Sequence, residues 1–550
     1  LKLMVKKDSL IKGTLILAAA ALVARFLGLF QRIPFDYLMG SAGIAYFNIA
    51  NNVYLLLLII ATGGIPSAIS RMVSERYALG RKREAQRIYR AALLFGMLAG
   101  FVIAVLLFFL APVFAASGGH RDASAAVAAI APALLVFPVI AMMRGYFQGR
   151  QMMTAGGVSQ IVEQFARVLT AIGLVLIVLS WGWGDRWMAA AAAFGSVFGS
   201  LAAFGVMLYY ARKLRKQDIK EALSEAAPQP DTSRRLSFRT IYLEMFAISI
   251  PIVIAAMTVQ FIYNFDTWLF ERLTDAFYAS SADSLKALAE LGNRAQALAG
   301  IPPILAIALS TSILPIISSA YSVKNMDEVQ RQTSLVMRIV VFTGVPAALA
   351  LVVAAQSVTG LIYQDASGSG LVAALTAGTI FQITMMTSNS VLFGLGKAKL
   401  PMKHTVVGLI VKVAGSVILA PLLGAYGLII ASTLCFITIA SLNLRAIRKE
   451  VPYSILGTRW FGYSMTIVIS AGIGWLVDMG ARQLLDGLPS KLTYFCSAAL
   501  TGIVALGLYV LLLVLLRVVR QEDIRQFPGP LRKLLGPVMR IARSRKAGSS

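Results

Sequence analysis

The chain has 550 residues, of which 58% are hydrophobic and 14% charged. A soluble domain carries about 45–50% apolar and about 25% charged residues, so an ordinary soluble enzyme and a disordered chain are both excluded. Only Cys435 and Cys496 are present, which excludes a disulfide-built fold. A net charge of +26 would point to nucleic acid in a soluble protein. In so apolar a chain it reads as basic residues retained on cytoplasmic loops, and no nucleic-acid partner is expected.

A membrane-spanning helix needs about 20 predominantly apolar residues. In chain order the hydrophobic segments are 13–33, 44–70, 91–115, 124–143, 158–180, 188–210, 244–267, 288–318, 333–355, 371–396, 404–423, 425–444, 460–481 and 492–516. The expectation is an all-α polytopic membrane protein with 14 transmembrane helices. The alternating ten-residue segments of a β-barrel are absent. Abundant Gly and Ala inside the segments suits close helix packing in lipid. The first segment reads as a retained helix rather than a cleaved signal, because more spans follow it.

Assigning the connections alternately to two sides places 39 basic residues with the N-terminus and 6 on the opposite side. Basic loops stay in the cytoplasm, so both termini are expected there. The connection 211–243 contains AAPQPDTSRR and reads as a flexible linker after six spans. It divides an N-lobe (1–210) from a C-lobe (244–447). The region 448–516 holds two further spans, and 517–550 is a basic cytoplasmic tail suited to anionic head groups.

The halves share weak likenesses in matching order. IPSAIS (65–70) pairs with LPIISS (314–319), and FQGRQM (147–152) with FGLGKAK (393–399), at offsets near 244–249 residues. Six spans per half give a parallel repeat about an axis along the membrane normal. Pro66 and Pro315 occupy matching places and suit bent helices.

Ionisable side chains at membrane depth cost about 2.5–3.5 kcal/mol each on insertion scales and mark function. Arg25, Arg32, Arg167, Arg294, Arg338 and Lys412 lie within the segments, set against Glu163 and Asp266. The excess of bases calls for water or an anionic ligand. Arg25 is mid-span, and Arg32 follows two turns later on the same face. Gln160, Glu163, Gln164 and Arg167 form one polar face, on which Glu163 and Arg167 have the i, i+4 spacing of an ion pair. Gln260, Asn264 and Asp266 cluster in the seventh segment, and Lys412 is mid-span in the eleventh. Asn48, Asn51 and Asn52 form a stripe that can wall a cavity or bond helix to helix.

Catalytic patterns are missing. The sequence has no GxxxxGK[ST] loop and no HExxH, and His120 and His404 stand apart at span ends. No enzyme activity, metal or cofactor is expected.

RFLGLFQRIPF (25–35), GIAYFNIANNVYLLLLIIATGGIPSAISRMVSERYA (43–78) and RGYFQGRQMMTAGGVSQIVEQFARV (144–168) resemble the polysaccharide transport family of bacterial lipid flippases. The likeness covers essentially the whole chain. It lies nearest the YtgP and SpoVB branch, which is related to the MurJ lipid II flippases of the multidrug/oligosaccharidyl-lipid/polysaccharide exporter superfamily. The resemblance implies two six-span lobes, two extra helices bordering a groove for a lipid tail, and a place in the bacterial plasma membrane as a monomer. The implied substrate is lipid II, an undecaprenyl-pyrophosphate-linked muropeptide, moved by alternating access. It also implies substrate contacts at Arg25 and, ahead of AGIPP, at Arg294. Arg32 approximates a further one with one residue of altered spacing. The acidic residue and arginine that the MurJ pattern has in span 2 are replaced here by Ala45–Tyr46 and Thr62–Pro66, a departure shared with the YtgP/SpoVB branch. Glu163 and Arg167 are features of that branch.

A pyrophosphate needs fixed cations, and Arg offers planar multidentate donors. An inside-negative potential favours outward movement of anions by about 2.3 kcal/mol per charge per 100 mV, so coupling to the potential or to an ion is expected in place of ATP. The alternatives are an exporter of another polyprenyl-linked saccharide, a multidrug or cation antiporter of the same superfamily, and a membrane enzyme acting on polyprenyl lipids. The antiporter would need acidic cavity residues, and the enzyme a catalytic cluster.

Overall fold

The structure is a computed structural model that describes residues 10–62, 64–78, 80–117, 120–150, 152–224, 236–304, 317, 320–321 and 324–519. Within these, the side chains of residues 10–15, 18, 21, 25, 29, 61, 78, 117 and 221–224 are outside the description. Every regular element among the described residues is helical. Twelve helices there are long and apolar enough to cross a membrane, and they coincide with twelve of the fourteen segments. The other two segments are 13–33, which is helical, and 288–318, of which 305–316 and 318 lie outside the described residues, Pro315 and most of the partner of IPSAIS among them.

The chain forms two compact units. The first comprises Leu1–Asn293 and Ala398–Leu409. Its helices are α1 (Leu10–Leu38), α2 (Ser41–Thr62), α3 (Ile65–Ala78), α4 (Lys82–Ser117), α5 (Ser124–Gly149), α6 (Met153–Ser180), α7 (Asp185–Ser224), α8 (Phe238–Ala256), α9 (Thr258–Thr274) and α10 (Ser281–Ala289). A π-helical stretch, Glu290–Ala295, follows. The second unit comprises Arg294–Lys397 and Ile410–Ser550. It holds α11 (Gln296–Ala299), α12 (Met326–Val353), α13 (Ala355–Ile362), α14 (Ser369–Gly394), the later part of α15 (Lys399–Leu423), α16 (Ala425–Glu450), α17 (Trp460–Leu484) and α18 (Ser490–Leu515).

Two segments that read as single spans are broken. The second is α2 followed by α3, with Gly64 at φ +72° between them. A Cβ on Gly64 would stand 2.9 Å from the Ser249 carbonyl oxygen, so both the left-handed backbone and the close approach require glycine. Pro66 falls in the first turn of α3, where its missing N–H costs nothing. It opens a helix rather than bending one. The seventh segment is likewise α8 then α9, separated by Met257. The linker also begins later than its composition implies, because α7 continues through residue 224. Residues 225–235 lie outside the description, and Ser237 caps α8 by accepting the Thr240 N–H at 3.1 Å.

Small residues set the helix contacts of the first unit. Gly145 and Gly149 on α5 lie against the backbone of α3, where a Cβ would stand 2.7 Å from Pro66 O and 2.8 Å from Ser70 O. Gly195 and Gly199 on α7 meet Ala171 and Arg167 of α6 in the same way. Glycines four residues apart give a helix one smooth face, which lets backbones approach where lipid supplies no hydrophobic drive. The GYFQG motif is therefore a packing motif in this fold.

The apolar core of this unit has two parts. One includes Val53, Leu134, Ala171 and Ala193, and the other Ile65, Ile140, Ala155 and Ala203. On α6 and α7 residues of the two clusters are separated by a few turns of the same helix, and on α5 by less than two turns. On α6 that interval holds Ser159, Glu163 and Arg167, and on α7 Ser196 and Ser200. A polar layer thus lies between two apolar ones.

The FQGRQM and FGLGKAK stretches end their helices alike. Met152 N–H bonds Phe147 O at 2.8 Å, and Lys397 N–H bonds Leu392 O at 2.9 Å. These are the same long closing bond, displaced by 397 minus 152, or 245 residues.

Replacing Gly145 by Ala should lower the thermal midpoint of the purified protein, costing about 1–3 kcal/mol from overpacking against Pro66. Gly173→Ala, where no atom lies within 4 Å of the added Cβ, should leave it unchanged or slightly raised. Equal midpoints for the two variants would refute the contact.

Candidate functional site

The polar layer is built around α6. Glu163 is buried and accepts a hydrogen bond from Arg144 Nη2 of α5 at 2.8 Å. The same nitrogen donates to Ser159 Oγ at 2.8 Å. Arg167 Nη2 instead donates to Asn51 Oδ1 of α2 at 3.0 Å, with its guanidinium 5.8 Å from the centre of the Tyr54 ring. The i, i+4 spacing of Glu163 and Arg167 therefore does not make an ion pair. The glutamate faces α5 and the arginine faces α2. Arg144 stands one residue beyond segment 124–143, on the cytoplasmic side by the alternation of connections, and the structure buries it inside α5. Its place beside two buried methionines in MMRGYF was the available signal.

The layer continues across α2 to α9. Gln260 Nε2 and Asn264 Nδ2 both donate to Asn52 O at 3.3 Å, and Asn52 Nδ2 reaches Thr267 Oγ1 at 3.5 Å. Of the stripe, Asn52 thus bonds helix to helix and Asn51 anchors an arginine. Asp266 is buried on the same helix α9. Four buried atoms of this region, Gln160 Oε1, Arg167 Nε, Ser196 Oγ and Asn264 Oδ1, have no hydrogen-bond partner among the described residues. Buried polar atoms are nearly always paired, with protein, water or ligand.

The π-helical stretch ties α1 to this region. Arg32 Nη1 donates to Gly292 O at 3.2 Å, and Asn293 Nδ2 donates to Asp36 Oδ1 at 3.5 Å. Gly292 lies against Asn48, whose Nδ2 is 3.7 Å from the position a Cβ would take. Single π turns recur at functional sites. Of the residues singled out from sequence, Arg32, Glu163, Arg167 and Asp266 therefore all belong to the first unit. The Arg25 side chain lies outside the described residues.

Arg294 and Lys412 belong to the second unit. Arg294 Nη1 donates to Asp365 Oδ1 at 2.5 Å, Ser367 Oγ at 2.6 Å and Ser367 O at 2.9 Å, and its guanidinium lies 5.2 Å from the centre of the Tyr363 ring. The Asp365 carboxyl is held well below the usual carboxylate range, first by its hydrogen bond from the Ser367 hydroxyl and then by Arg294, against a partial opposing effect of burial. The sign follows directly. The stabilisation from this pair is complete above about pH 4 and is lost as the pH falls through the lowered value. Lys412 is fully buried and donates to Leu428 O of α16 at 2.9 Å. Arg338 donates to Ile455 O at 3.0 Å, outside the helix that carries it.

The balance of charge is less one-sided than Glu163 and Asp266 alone imply. Asp478 lies inside segment 460–481 and Asp36 just beyond segment 13–33, and both are buried. Asp478 accepts from Arg482 Nε at 3.1 Å, Ser357 Oγ at 2.5 Å and Ser497 Oγ at 3.0 Å. Acids in loops also count, since Asp365 is the partner of Arg294. The excess of bases within the segments is therefore partly met by the protein.

With every regular element helical and twelve candidate membrane spans among the described residues, broken helices and a buried polar layer, the chain is a multi-pass cell membrane protein of the transporter kind. A search of solved structures agrees on the fold. The chain matches "Lipid II flippase MurJ, inward closed conformation" with a TM-score of 0.62 at 13% identity, covering 92% of this chain and 100% of that one. It matches the outward-facing conformation of a multidrug resistance MATE family transporter of the MOP superfamily with a TM-score of 0.63 at 11% identity, covering 81% and 96%. The family model "Polysaccharide biosynthesis protein" matches residues 10–321, more than half of the chain, and the chain belongs to that family. Among curated relatives it is similar to "Lipid II flippase MurJ" of Bacillus subtilis (strain 168), 26% identical over 464 residues, 81% of this chain and 84% of the relative. It is also similar to "Stage V sporulation protein B" of the same organism, 24% identical over 538 residues, 95% and 98%. The relatives agree with membership of that family, and the solved structures with a MurJ-like and MATE-like fold.

Removing one partner of a buried ion pair typically costs about 3–5 kcal/mol, because the other charge stays buried. Glu163→Gln should therefore destabilise strongly in thermal unfolding, while the double variant Arg144→Met, Glu163→Met recovers most of the loss. Arg167→Gln, which leaves only a neutral Asn51 behind, should cost less than Glu163→Gln. A Glu163→Gln protein as stable as the parent would contradict the pairing.

Proposed function

We propose that the protein is a flippase that moves an undecaprenyl-pyrophosphate-linked saccharide, lipid II, from the inner to the outer leaflet by alternating access, without catalysis and without a bound cofactor. The observation that carries this reading is the guanidinium of Arg167. It is fixed at mid-bundle by Asn51 and Tyr54, and its buried Nε has no acceptor among the described residues. A cation so placed wants an anion or water, and a phosphate satisfies guanidinium donors in a plane. Arg32, Arg25 and Arg294 would supply further positive charge, while Asp266 and Glu163 shape the route and Lys412 serves packing through its bond to Leu428 O.

In this reading 1–210 and 244–447 are the two lobes of a parallel repeat, and the matching helix closures 245 residues apart support it. Both termini face the cytoplasm. Helices α17 and α18 lie beyond the twelve-span repeat and would hold the lipid tail. Export of another polyprenyl-linked saccharide uses the same pyrophosphate contacts and is the second reading. A cation antiporter is disfavoured because Glu163 already serves Arg144.

The test is exposure of lipid II at the outer face of cells depleted of their own flippase. Restored exposure is expected with the intact protein. At equal membrane abundance, a loss of about tenfold or more is expected with Arg167→Gln or Arg32→Gln, from about 1.4 kcal/mol of lost anion binding. No restoration by the well-expressed intact protein would reject lipid II as the substrate. Collapsing the membrane potential alone should slow transport, since each exported negative charge gains about 2.3 kcal/mol per 100 mV. An unchanged rate would exclude potential coupling.

A further inference from the structure

All the hydrogen bonds that Arg294 makes to described residues use one nitrogen, Nη1. Asp365 and Ser367 hold that nitrogen, and the Tyr363 ring covers one side of the guanidinium at 5.2 Å. The opposite edge, formed by Nε–H and Nη2–H, has no acceptor among the described residues. This edge is the fork with which Arg grips two oxygens of one phosphate. Burial adds to its orientation. The Arg294 side chain is 13% exposed, while Asp365 at 62% stands at the open side of the loop.

The loop that makes this arrangement is itself held by the last two helices. Lys491, at the start of α18, donates to Gly360 O at 2.8 Å and to Tyr363 O. It caps the C-terminal end of α13, where a cation suits the helix dipole. At the other end of α13, Ser357 donates to Asp478 of α17 at 2.5 Å, and Ser497 of α18 donates to the same carboxylate. A Cβ on Gly360 would stand 2.6 Å from the Tyr494 ring of α18, so α13 and α18 are in close contact. The chain of contacts runs from α17 and α18, through α13 and residues 363–367, to Arg294, and every member lies in the second unit.

We propose that Asp365 and Ser367 are positioning residues that pin one nitrogen of Arg294 so that its Nε–Nη2 edge is presented to the phosphates of a polyprenyl-linked anion, with Lys491 of the last helix holding their loop in place. The proposal rests on the reading of Arg294 as an anion contact. It adds a second duty for the two helices beyond the repeat, which then build part of the head-group site as well as lying beside the lipid tail. Asp365 stays ionised at neutral pH, because its partners hold the carboxyl low. The pin is therefore a fixed feature and not a proton switch.

The test is equilibrium binding of undecaprenyl pyrophosphate, with neutral undecaprenol as the comparison lipid, to the full-length protein in nanodiscs. Asp365→Ala and Lys491→Met should each weaken pyrophosphate-lipid binding by about tenfold, as Arg294→Ala does, while undecaprenol binding holds. Asp365→Asn, whose carboxamide oxygen still accepts from Arg294 and Ser367, should restore affinity to within about threefold of the parent. Parental affinity in Asp365→Ala, when Arg294→Ala has lost it, would overturn the positioning role and leave the anion contact standing. Tighter binding by Asp365→Ala would overturn it too, since Asp365 would then be a competitor for the arginine. An equal loss for both lipids would mark a merely structural residue. If the parent protein fails to prefer the pyrophosphate lipid over undecaprenol, the anion-contact reading fails, and the positioning role falls with it.

Discussion

A cation carried inside a membrane helix has to be answered at its own depth, because neither lipid nor distant water can do so. In the first unit the answer is divided between two helix faces. Arg144 takes Glu163 for its partner, and Arg167 is left with neutral company, an asparagine oxygen and an aromatic ring. The rest of the unit is arranged around that division. Glycines on α5 and α7 bring those helices close against α3 and α6 respectively, and apolar clusters lie on either side of the layer along the helix axes.

The breaks in α2–α3 and α8–α9 belong to the same logic. An unbroken helix satisfies its own backbone, and a break frees carbonyls and amides that need new partners. Gly64 makes the first break cheap in backbone strain and allows close approach to the Ser249 carbonyl. Before the second break lies Pro251, inside α8, and after it Gln260 and Asn264 turn their amides onto the backbone of α2. They also join helices on opposite sides of the long linker into one packed unit.

The second unit uses its charges differently. Asp478, Arg482, Lys491, Arg294 and Asp365 are each engaged by named partners, and Lys412 is spent on a backbone carbonyl between α15 and α16. Seen by type alone, Lys412 and Arg167 were equal candidates. Burial and partners separate them, because a fully buried ammonium on a carbonyl holds helices together, whereas a guanidinium with an unmet donor is equipped for a ligand.

The sequence by itself determined that this is a helical membrane protein, where twelve of its spans lie, and that bases outnumber acids at depth. These follow from composition and from runs of apolar residues, which the bilayer imposes locally on each segment. The family likeness was legible in the same way, through short motifs such as GYFQG. Which charges pair was decided only by the tertiary structure. Glu163 and Arg167 are spaced to meet along one helix, but they project toward different neighbours, and the true partner, Arg144, comes from a helix 19 residues earlier in the chain. Asp365 was invisible as the partner of Arg294 because it stands in a loop 71 residues away. Spacing along one helix is a local property, whereas pairing between helices depends on their rotation and depth, and the packing of the whole unit sets those.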